Sequence, residues 1–238
     1  MNAGIYSAAS GSLGALIRLD ALANNLANVN TPGFKAERYV QRADAFSSSK
    51  PPIAGVSTPV ARGGVVTDFS QGPIQTTEAP LDLALAGDGF FVVKTPRGDA
   101  LTRRGSFTLD GQGYVTTSDG LRVQSDGGDL QISRPGKIVV GSDGSVTSDG
   151  ALAGKLRIVK VADPSRLQRE AGLFFTAGQI PTPVTPGTTR VVQGGIEGSN
   201  VSPVASLISL VDTMRAFEAY SRAAERLDQV TGRAISDV

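Results

Sequence analysis

Both ends of the chain place apolar residues at helical spacing, and this pattern constrains the fold more than any other feature. Near the N-terminus, steps of four and three residues connect Ile5, Ala9, Ser12, Leu16, Leu19, Ala23 and Leu26. Near the C-terminus, the same steps connect Leu210, Thr213, Phe217, Tyr220, Ala224 and Leu227. Such a stripe is one face of an amphipathic helix. The pattern therefore predicts one helix at each end, with an apolar face that must be covered.

The sequence also predicts where these helices begin and end. Asn30-Thr31-Pro32-Gly33 follows the first stripe, and proline disfavours helix at the residue before it, so the first helix should end near Asn28. Ser202 and Pro203 supply an N-cap hydroxyl and a proline at the first helical position. Gly232 indicates a stop for the second helix.

Between the helices the pattern is typical of short strands. Phe90-Phe91-Val92-Val93 is a buried-strand run, and Asp110-Gly111-Gln112-Gly113 predicts a hairpin turn. The 29 glycines and 13 prolines, with only 5% aromatic residues, favour many tight turns. We predict an α+β fold. Its N- and C-terminal helices pack together as a coiled-coil-like unit, and its centre is an all-β domain of short antiparallel strands.

Two segments with few patterned apolar residues predict connectors on either side of the β domain. The second carries Pro181, Pro183 and Pro186, which favour extended chain. The predicted order is an N-terminal helix at 1–33, a connector at 34–72, the β domain at 73–180, a return connector at 181–198 and a C-terminal helix at 199–238.

The residue types that are missing exclude much catalytic chemistry. Without histidine or cysteine there is no Ser-His-Asp triad, no Cys-His pair, no disulfide and no usual zinc site. The Asp-Gly pairs do not match an EF-hand loop and read as turns. We therefore expect no metal and no cofactor. The net charge of +1 argues against a nucleic-acid partner, and no apolar run approaches the ~20 residues of a membrane span.

Carboxylates, hydroxyls and lysines remain for catalysis, and of these only paired carboxylates are a plausible catalytic site. The six glutamates are scattered, and no pair of the kind that glycosidases use is evident in the sequence. We expect the chain not to be an enzyme. Two alternatives stay open: a glycan-cleaving enzyme, which needs two carboxylates that meet in a cleft, and a secreted glycan-binding module, which needs a concave aromatic site.

Motifs in a consistent order along the chain resemble those of bacterial flagellar rod and hook proteins. The blocks are residues 24–35 (NNLANVNTPGFK), 80–93 (PLDLALAGDGFFVV) and 193–201 (QGGIEGSNV). Pro32 and Gly195-Ile196 depart from the usual form. Within the family, residues 5–8 (IYSA) and 215–220 (RAFEAY) resemble the FlgF-type branch. The distal-rod, FlgG-type branch is the alternative, although it usually has a tryptophan near its start.

The resemblance implies a structural subunit of the flagellar basal-body rod, the axial shaft that crosses the periplasm and transmits torque. It implies that the terminal helices build the inner tube of the rod, with the β domain outside. The implied partners are copies of the chain, other rod subunits and the flagellar type III export apparatus, with no small-molecule substrate and no membrane insertion. Export without a cleaved signal agrees with the lack of Lys or Arg before Arg18.

We expect the assembly surface on the two stripes and on the asparagines that follow the first. The predicted interface residues are Ile5, Leu16, Leu19, Asn24, Asn25, Leu26, Asn28, Leu210, Phe217, Tyr220 and Leu227. For the asparagines two roles stay open. Their amides either end the helix by local hydrogen bonds or bond between chains and fix the register, as a buried asparagine does in a coiled coil.

Overall fold

The structure is a computed structural model that describes residues 2–42, 62–133, 136–170, 172–176, 179–185 and 187–236. The chain divides into two compact units. Met1–Val29, Ala36–Asp68 and Val201–Val238 form the first, which we call the helical unit. Asn30–Lys35 and Phe69–Asn200 form the second, which we call the β unit.

The helical unit contains both terminal helices, α1 (Asn2–Ala27) and α2 (Pro203–Ser236), which pack against each other. The prediction of a helix at each end, packed as a pair, is therefore confirmed. The first helix ends beside Asn28 and the second begins at Pro203, as predicted. The predicted stop at Gly232 is wrong, because α2 continues through it to Ser236. A glycine in a helix interior costs only about 1 kcal/mol relative to alanine, so it does not by itself end a helix.

Two strands of the helical unit lie in the segment for which the sequence predicted a connector. β1 (Glu37–Arg42) and β2 (Arg62–Thr67) pair antiparallel, with Tyr39 opposite Val65. None of their described side chains is buried, and the valines at 40, 65 and 66 are exposed, so no buried apolar run marks these strands in the sequence. Residues 43–61 of that segment lie outside the described residues.

The β unit consists of short antiparallel strands, as predicted. They are β3 (Ile74–Thr76), β4 (Leu83–Ala86), β5 (Phe90–Thr95), β6 (Gly98–Thr102), β7 (Phe107–Leu109), β8 (Val115–Thr117), β9 (Arg122–Ser125), β10 (Gly128–Asp129), β11 (Ile138–Val140), β12 (Ser145–Ser148), β13 (Ala151–Lys155), β14 (Ile158–Lys160), β15 (Leu167–Glu170), β16 (Leu173–Thr176), β17 (Thr182–Pro183), β18 (Arg190–Gln193) and β19 (Gly195–Glu197). A 3-10 turn, Pro164–Arg166, precedes β15.

The largest sheet has the order β15-β16-β6-β5-β9-β8-β7, with β10, β14 and β17 paired beside it. The predicted hairpin turn joins β7 to β8. A separate sheet has the order β11-β12-β13. The expected return connector instead contributes strands, because β18 pairs with β4 and β19 pairs with β3. The sequence does not predict β18 and β19, because glycines leave each apolar run only a few residues long.

The β unit buries two apolar clusters on opposite faces of β5. Phe91 and Val93 belong to the larger cluster, and Phe90 and Val92 belong to the smaller one. Alternate residues of a strand point to opposite faces, so a strand with four successive apolar residues is buried on both sides. In the described part of the chain, no helix is long and apolar enough to cross a membrane.

Candidate assembly surface

Helix α1 approaches α2 through a row of small residues. The row comprises Gly4, Ala8, Gly11 and Ala15, and both of its alanines are buried. A Cβ on Gly11 would lie 2.6 Å from Cε1 of Tyr220, and a Cβ on Gly4 would lie 3.2 Å from Cδ1 of Leu227. Small side chains at this spacing form one face of a helix, so two side chains of α2 lie directly over the glycines of α1.

The predicted C-terminal stripe faces α1 inside the helical unit. Thr213 is buried and its hydroxyl donates to the carbonyl of Ser209 at 2.6 Å. Leu210 and Phe217 are half-buried, whereas Tyr220 and Leu227 keep partly exposed edges. This stripe therefore packs mainly against α1 of the same chain. Its contribution to contacts between chains stays a prediction.

The predicted N-terminal stripe is only partly covered. Leu19 and Leu26 are half-buried, while Leu16 is 47% exposed. Leu13, which the sequence analysis did not select, is also exposed, and it lies one turn before Leu16. The side chain of Ile5 lies outside the described residues.

A second apolar stripe runs along the outer side of α2, and the sequence analysis missed it. We call it the outer ridge: Val204, Leu207, Ile208, Val211 and Met214, each between 46% and 67% exposed. At 3.6 residues per turn, Val211 lies about 200° around the helix from the buried Thr213. The ridge therefore faces away from α1. Beyond Met214 the same side becomes charged, and Glu218 and Arg222 form an ion pair there at 3.3 Å.

The asparagines at the end of α1 have partners within the helical unit. Asn25 is buried; its amide donates to the carbonyl of Glu37 at 2.7 Å and accepts from the N–H of Glu37 at 2.8 Å. Asn28 donates to the carbonyl and to the side-chain oxygen of Asn24, both at 2.9 Å. Asn24 donates to the carboxylate of Glu37 at 3.1 Å. Only Asn28 thus bonds locally at the helix end, while Asn24 and Asn25 bond to β1, and the role between chains stays a prediction.

The β unit holds a buried cluster of three charged side chains, Lys35, Arg103 and Glu197, which are 1%, 4% and 0% exposed. One carboxylate oxygen of Glu197 accepts from Nζ of Lys35 at 2.7 Å and from the N–H of Gly72 at 2.9 Å. Its other oxygen accepts from Arg103 at 3.1 Å. No local pattern in the sequence indicates this cluster, because Lys35 and Glu197 are 162 positions apart.

Three family models match the chain in the order of these elements. They are "Flagella basal body rod protein" at residues 5–35, "Flagellar hook protein FlgE/F/G D1 domain" at residues 84–148 and "Flagellar basal body rod FlgEFG protein C-terminal" at residues 192–237. The first match covers most of α1 and reaches Lys35. The second covers β5 to β12, and the third covers β19 and α2.

Curated relatives match over nearly the whole chain. The chain is 34% identical to the flagellar basal-body rod protein FlgF of Caulobacter vibrioides, over 91% of this chain and 90% of that protein. It is 31% identical to FlgF of Escherichia coli, over 98% and 97%. It is 32% identical to the rod protein FlgG of Bacillus subtilis, over 95% of both.

A helix pair built from the two chain ends, with a β unit between them and these matches in sequence order, defines an axial subunit of the bacterial flagellum. The chain belongs to the flagellar basal-body rod protein family. The resemblance seen in the sequence, including the likeness to FlgF, is confirmed. Proteins of this family are structural components of the flagellar basal body, where they assemble with copies of themselves and with other rod subunits.

Proposed function

We propose that the chain polymerises through its helical unit and forms part of the axial shaft that transmits torque. The outer ridge of α2 is the observation that carries the proposal. Five exposed apolar side chains on one helix face form a patch of the kind that marks an interaction site. Burying each of these side chains against a neighbouring chain stabilises the contact by on the order of 1 kcal/mol. The total grows with the number of subunits in the assembly.

The predicted interface residues have two roles in this proposal. Leu16, together with Leu13, offers a second exposed apolar patch to a neighbouring chain, and Tyr220 and Leu227 offer partly exposed edges. Leu19, Leu26, Leu210 and Phe217 act mainly by holding the helix pair together, because they are half-buried within it. Ile5 and the asparagines at 24, 25 and 28 stay proposed contacts. The segments 1–33 and 199–238 stay our proposal for the part that assembles.

The proposed partners are copies of this chain, other rod subunits and the flagellar type III export apparatus. Between the two branches of the family, we favour FlgF. The chain has no tryptophan, and residues 215–220 read RAFEAY, as the FlgF-type resemblance requires. A FlgG-type subunit is the second candidate, because the identities to FlgF and FlgG proteins overlap.

We propose no enzymatic role. A cavity of about 240 Å³ in the β unit is lined by two carboxylates, Asp126 and Asp143, and by Lys155. Hydrogen bonds from the hydroxyl and N–H of Ser145, and then the charge of Lys155, hold the pKa of Asp143 below its usual range. Asp143 is therefore not suited to the role of a glycosidase's general acid, which needs a carboxyl group whose pKa is raised.

The test replaces ridge residues with aspartate in cells that lack their own copy of the gene. Ile208→Asp and Val211→Asp place a charge on the outer ridge without touching the α1-facing side of α2. Ala205→Asp is the matched control, because it adds the same charge to the first turns of α2 on an exposed flank of the ridge.

We expect both ridge variants to be absent from purified basal bodies and to leave the cells non-motile. The purified proteins should keep the thermal stability of the unmodified chain, and Ala205→Asp should assemble. Normal incorporation of both ridge variants would overturn the proposal that the outer ridge is an assembly surface.

A further inference from the structure

The chain passes between its two units four times, after Val29, Lys35, Asp68 and Asn200. On the β-unit side, the residues at these passages are bonded to one another. The N–H of Gly33 donates to the carbonyl of Glu197 at 2.7 Å, and Nζ of Lys35 donates to the carbonyl of Ser70 at 2.7 Å. The side-chain amide of Asn200 also donates to the carbonyl of Ser70, at 3.1 Å.

The carboxylate of Glu197 lies at the centre of these bonds. It bonds Lys35 from the first segment, the N–H of Gly72 from the third passage, and Arg103, which follows β6. Arg103 is itself fixed by a bond from its other terminal nitrogen to the carbonyl of Gly87 at 3.0 Å. One side chain therefore joins three segments, the farthest of which, at Lys35, is 162 positions away in the chain.

Two glycines let these segments approach backbone to backbone. A Cβ on Gly72 would lie 2.1 Å from the carbonyl oxygen of Gly198. A Cβ on Gly33, whose φ is +68°, would lie 2.4 Å from the nitrogen of Arg104. The segments are thus held by short main-chain contacts as well as by charge.

Stability alone is a poor reason for this arrangement. Burying charges is costly, and replacing a buried ion pair by apolar residues of similar volume is often neutral or stabilising. Here two cations share one anion, and within the described residues Nε of Arg103 has no hydrogen-bond partner. The gain from such a cluster is geometric, because each of its bonds is directional and fixes one segment relative to another.

We propose that Lys35, Arg103 and Glu197 form a clamp that holds the four passages as one cooperative element, through which torque passes between the two units. The mechanical part rests on the proposed function as a rod subunit. Glu197 is a positioning residue, since it acts through the segments that it holds.

The first test measures hydrogen exchange in the purified chain carrying Glu197→Gln. The change keeps the size of the side chain and removes the negative charge that Lys35 and Arg103 share, so opening should become roughly a hundredfold easier. We expect amides at Gly33, Gly72 and Gly198 to exchange faster together, while those of Val92 and Val93 are unchanged. Glu170→Gln is the matched control, because it removes the same charge from an exposed pair with Arg97.

Lys35→Met is the second variant, which opens the clamp from its other side. It should speed exchange at the same three glycines. The proposal is overturned if Glu197→Gln speeds exchange only at Gly72 and Gly198, which bond or adjoin position 197, while Lys35→Met speeds it only at Gly33. No change in either variant would overturn it as well.

The second test compares swimming in dilute and in viscous medium for cells that depend on each variant. We expect Glu197→Gln and Lys35→Met to enter basal bodies in normal amount, and swimming to fall more steeply with viscosity than for Glu170→Gln. Equal viscosity dependence would overturn the clamp while leaving the rod assignment intact. Absence of both folded variants from basal bodies would also overturn it, because the cluster would then act in assembly. Failure of the unmodified chain to restore motility would instead contradict the proposed function.

Discussion

The ring of Tyr220 on α2 lies directly over Gly11 of α1, so that a Cβ at position 11 would be 2.6 Å from Cε1 and 2.7 Å from Cδ1 of the ring. A glycine in a helix interior costs about 1 kcal/mol relative to alanine. The contact explains that cost, because the missing side chain is the space that the tyrosine ring occupies. The helix pair therefore depends on a glycine that helix propensity disfavours.

Gly11→Ala should weaken the helix pair even though it improves helix propensity. The added methyl group must displace the Tyr220 ring, which should speed hydrogen exchange in the surrounding turns of α2. Gly4→Ala is the matched control, because its methyl group would meet only the terminal Cδ atoms of Leu227, the nearer at 3.2 Å. Equal effects of the two changes on exchange would contradict the close contact.

Asn25→Ala should cost about 1–3 kcal/mol of unfolding free energy. The change removes the two hydrogen bonds that the buried Asn25 side chain makes to the main chain of Glu37. Asn24→Ala removes two bonds between exposed side chains, one to Glu37 and one from Asn28, and should cost less than about 1 kcal/mol. Chemical denaturation of both variants measures the difference, and similar losses would argue against the bridging role of Asn25.

Gly33→Ala should destabilise the β unit much more than Gly120→Ala. Both glycines have positive φ, +68° and +77°, so both substitutions carry a conformational cost of about 1–2 kcal/mol. Only at position 33 would the new Cβ collide with main-chain atoms, those of Arg103 and Arg104; at position 120 nothing lies within 4 Å. We expect a loss of at least about 3 kcal/mol for Gly33→Ala in denaturant titrations. Equal losses of unfolding free energy in the two variants would mean that the segment around position 33 can move away from the main chain of Arg103 and Arg104.

Acid should remove a specific stabilising contribution from Asp129. A hydrogen bond from Gln124 at 2.8 Å, and then one from Arg122 at 2.9 Å, hold its pKa below the ordinary value of 3.8. The ionised form therefore favours the folded state above pH 3.8, and this contribution is lost as the pH falls through the lower, folded-state pKa.

Asp129→Asn should accordingly be less stable than the unmodified chain at pH 7. The difference should shrink steadily in urea titrations performed below pH 3.8. A difference that stays constant with pH would show that the side chain contributes through packing rather than through its charge.

The helices were predictable because each carries a long apolar period and a local end signal. Asn30-Thr31-Pro32-Gly33 closes α1, and Ser202-Pro203 opens α2. The side that each helix turns to its neighbour was harder to predict. The face of α1 that approaches α2 consists of glycine and alanine, and a search for large apolar residues does not detect such a face. On α2 two stripes share the same period, and only packing shows that Thr213 faces inward and Val211 outward.

The buried cluster of the β unit was beyond sequence reasoning for a different reason. Lys35 and Glu197 each belong to a recognised motif, but no local signal pairs residues so far apart in the chain. Arg103 stands beside a second arginine and a glycine, which is typical of a solvated strand end, yet it is buried. Long-range pairing of charges is decided by topology, which a single sequence does not reveal.

The accessibility of one engineered thiol tests the central claim most directly, since the chain contains no cysteine. Ile208→Cys places a thiol on the outer ridge, and Gln112→Cys places one on an exposed hairpin turn of the β unit as a control for reagent access. We expect a maleimide to label position 208 in the purified chain and to fail to label it in intact basal bodies, while position 112 reacts in both. Equal labelling of position 208 in both states would contradict the outer ridge as the assembly surface.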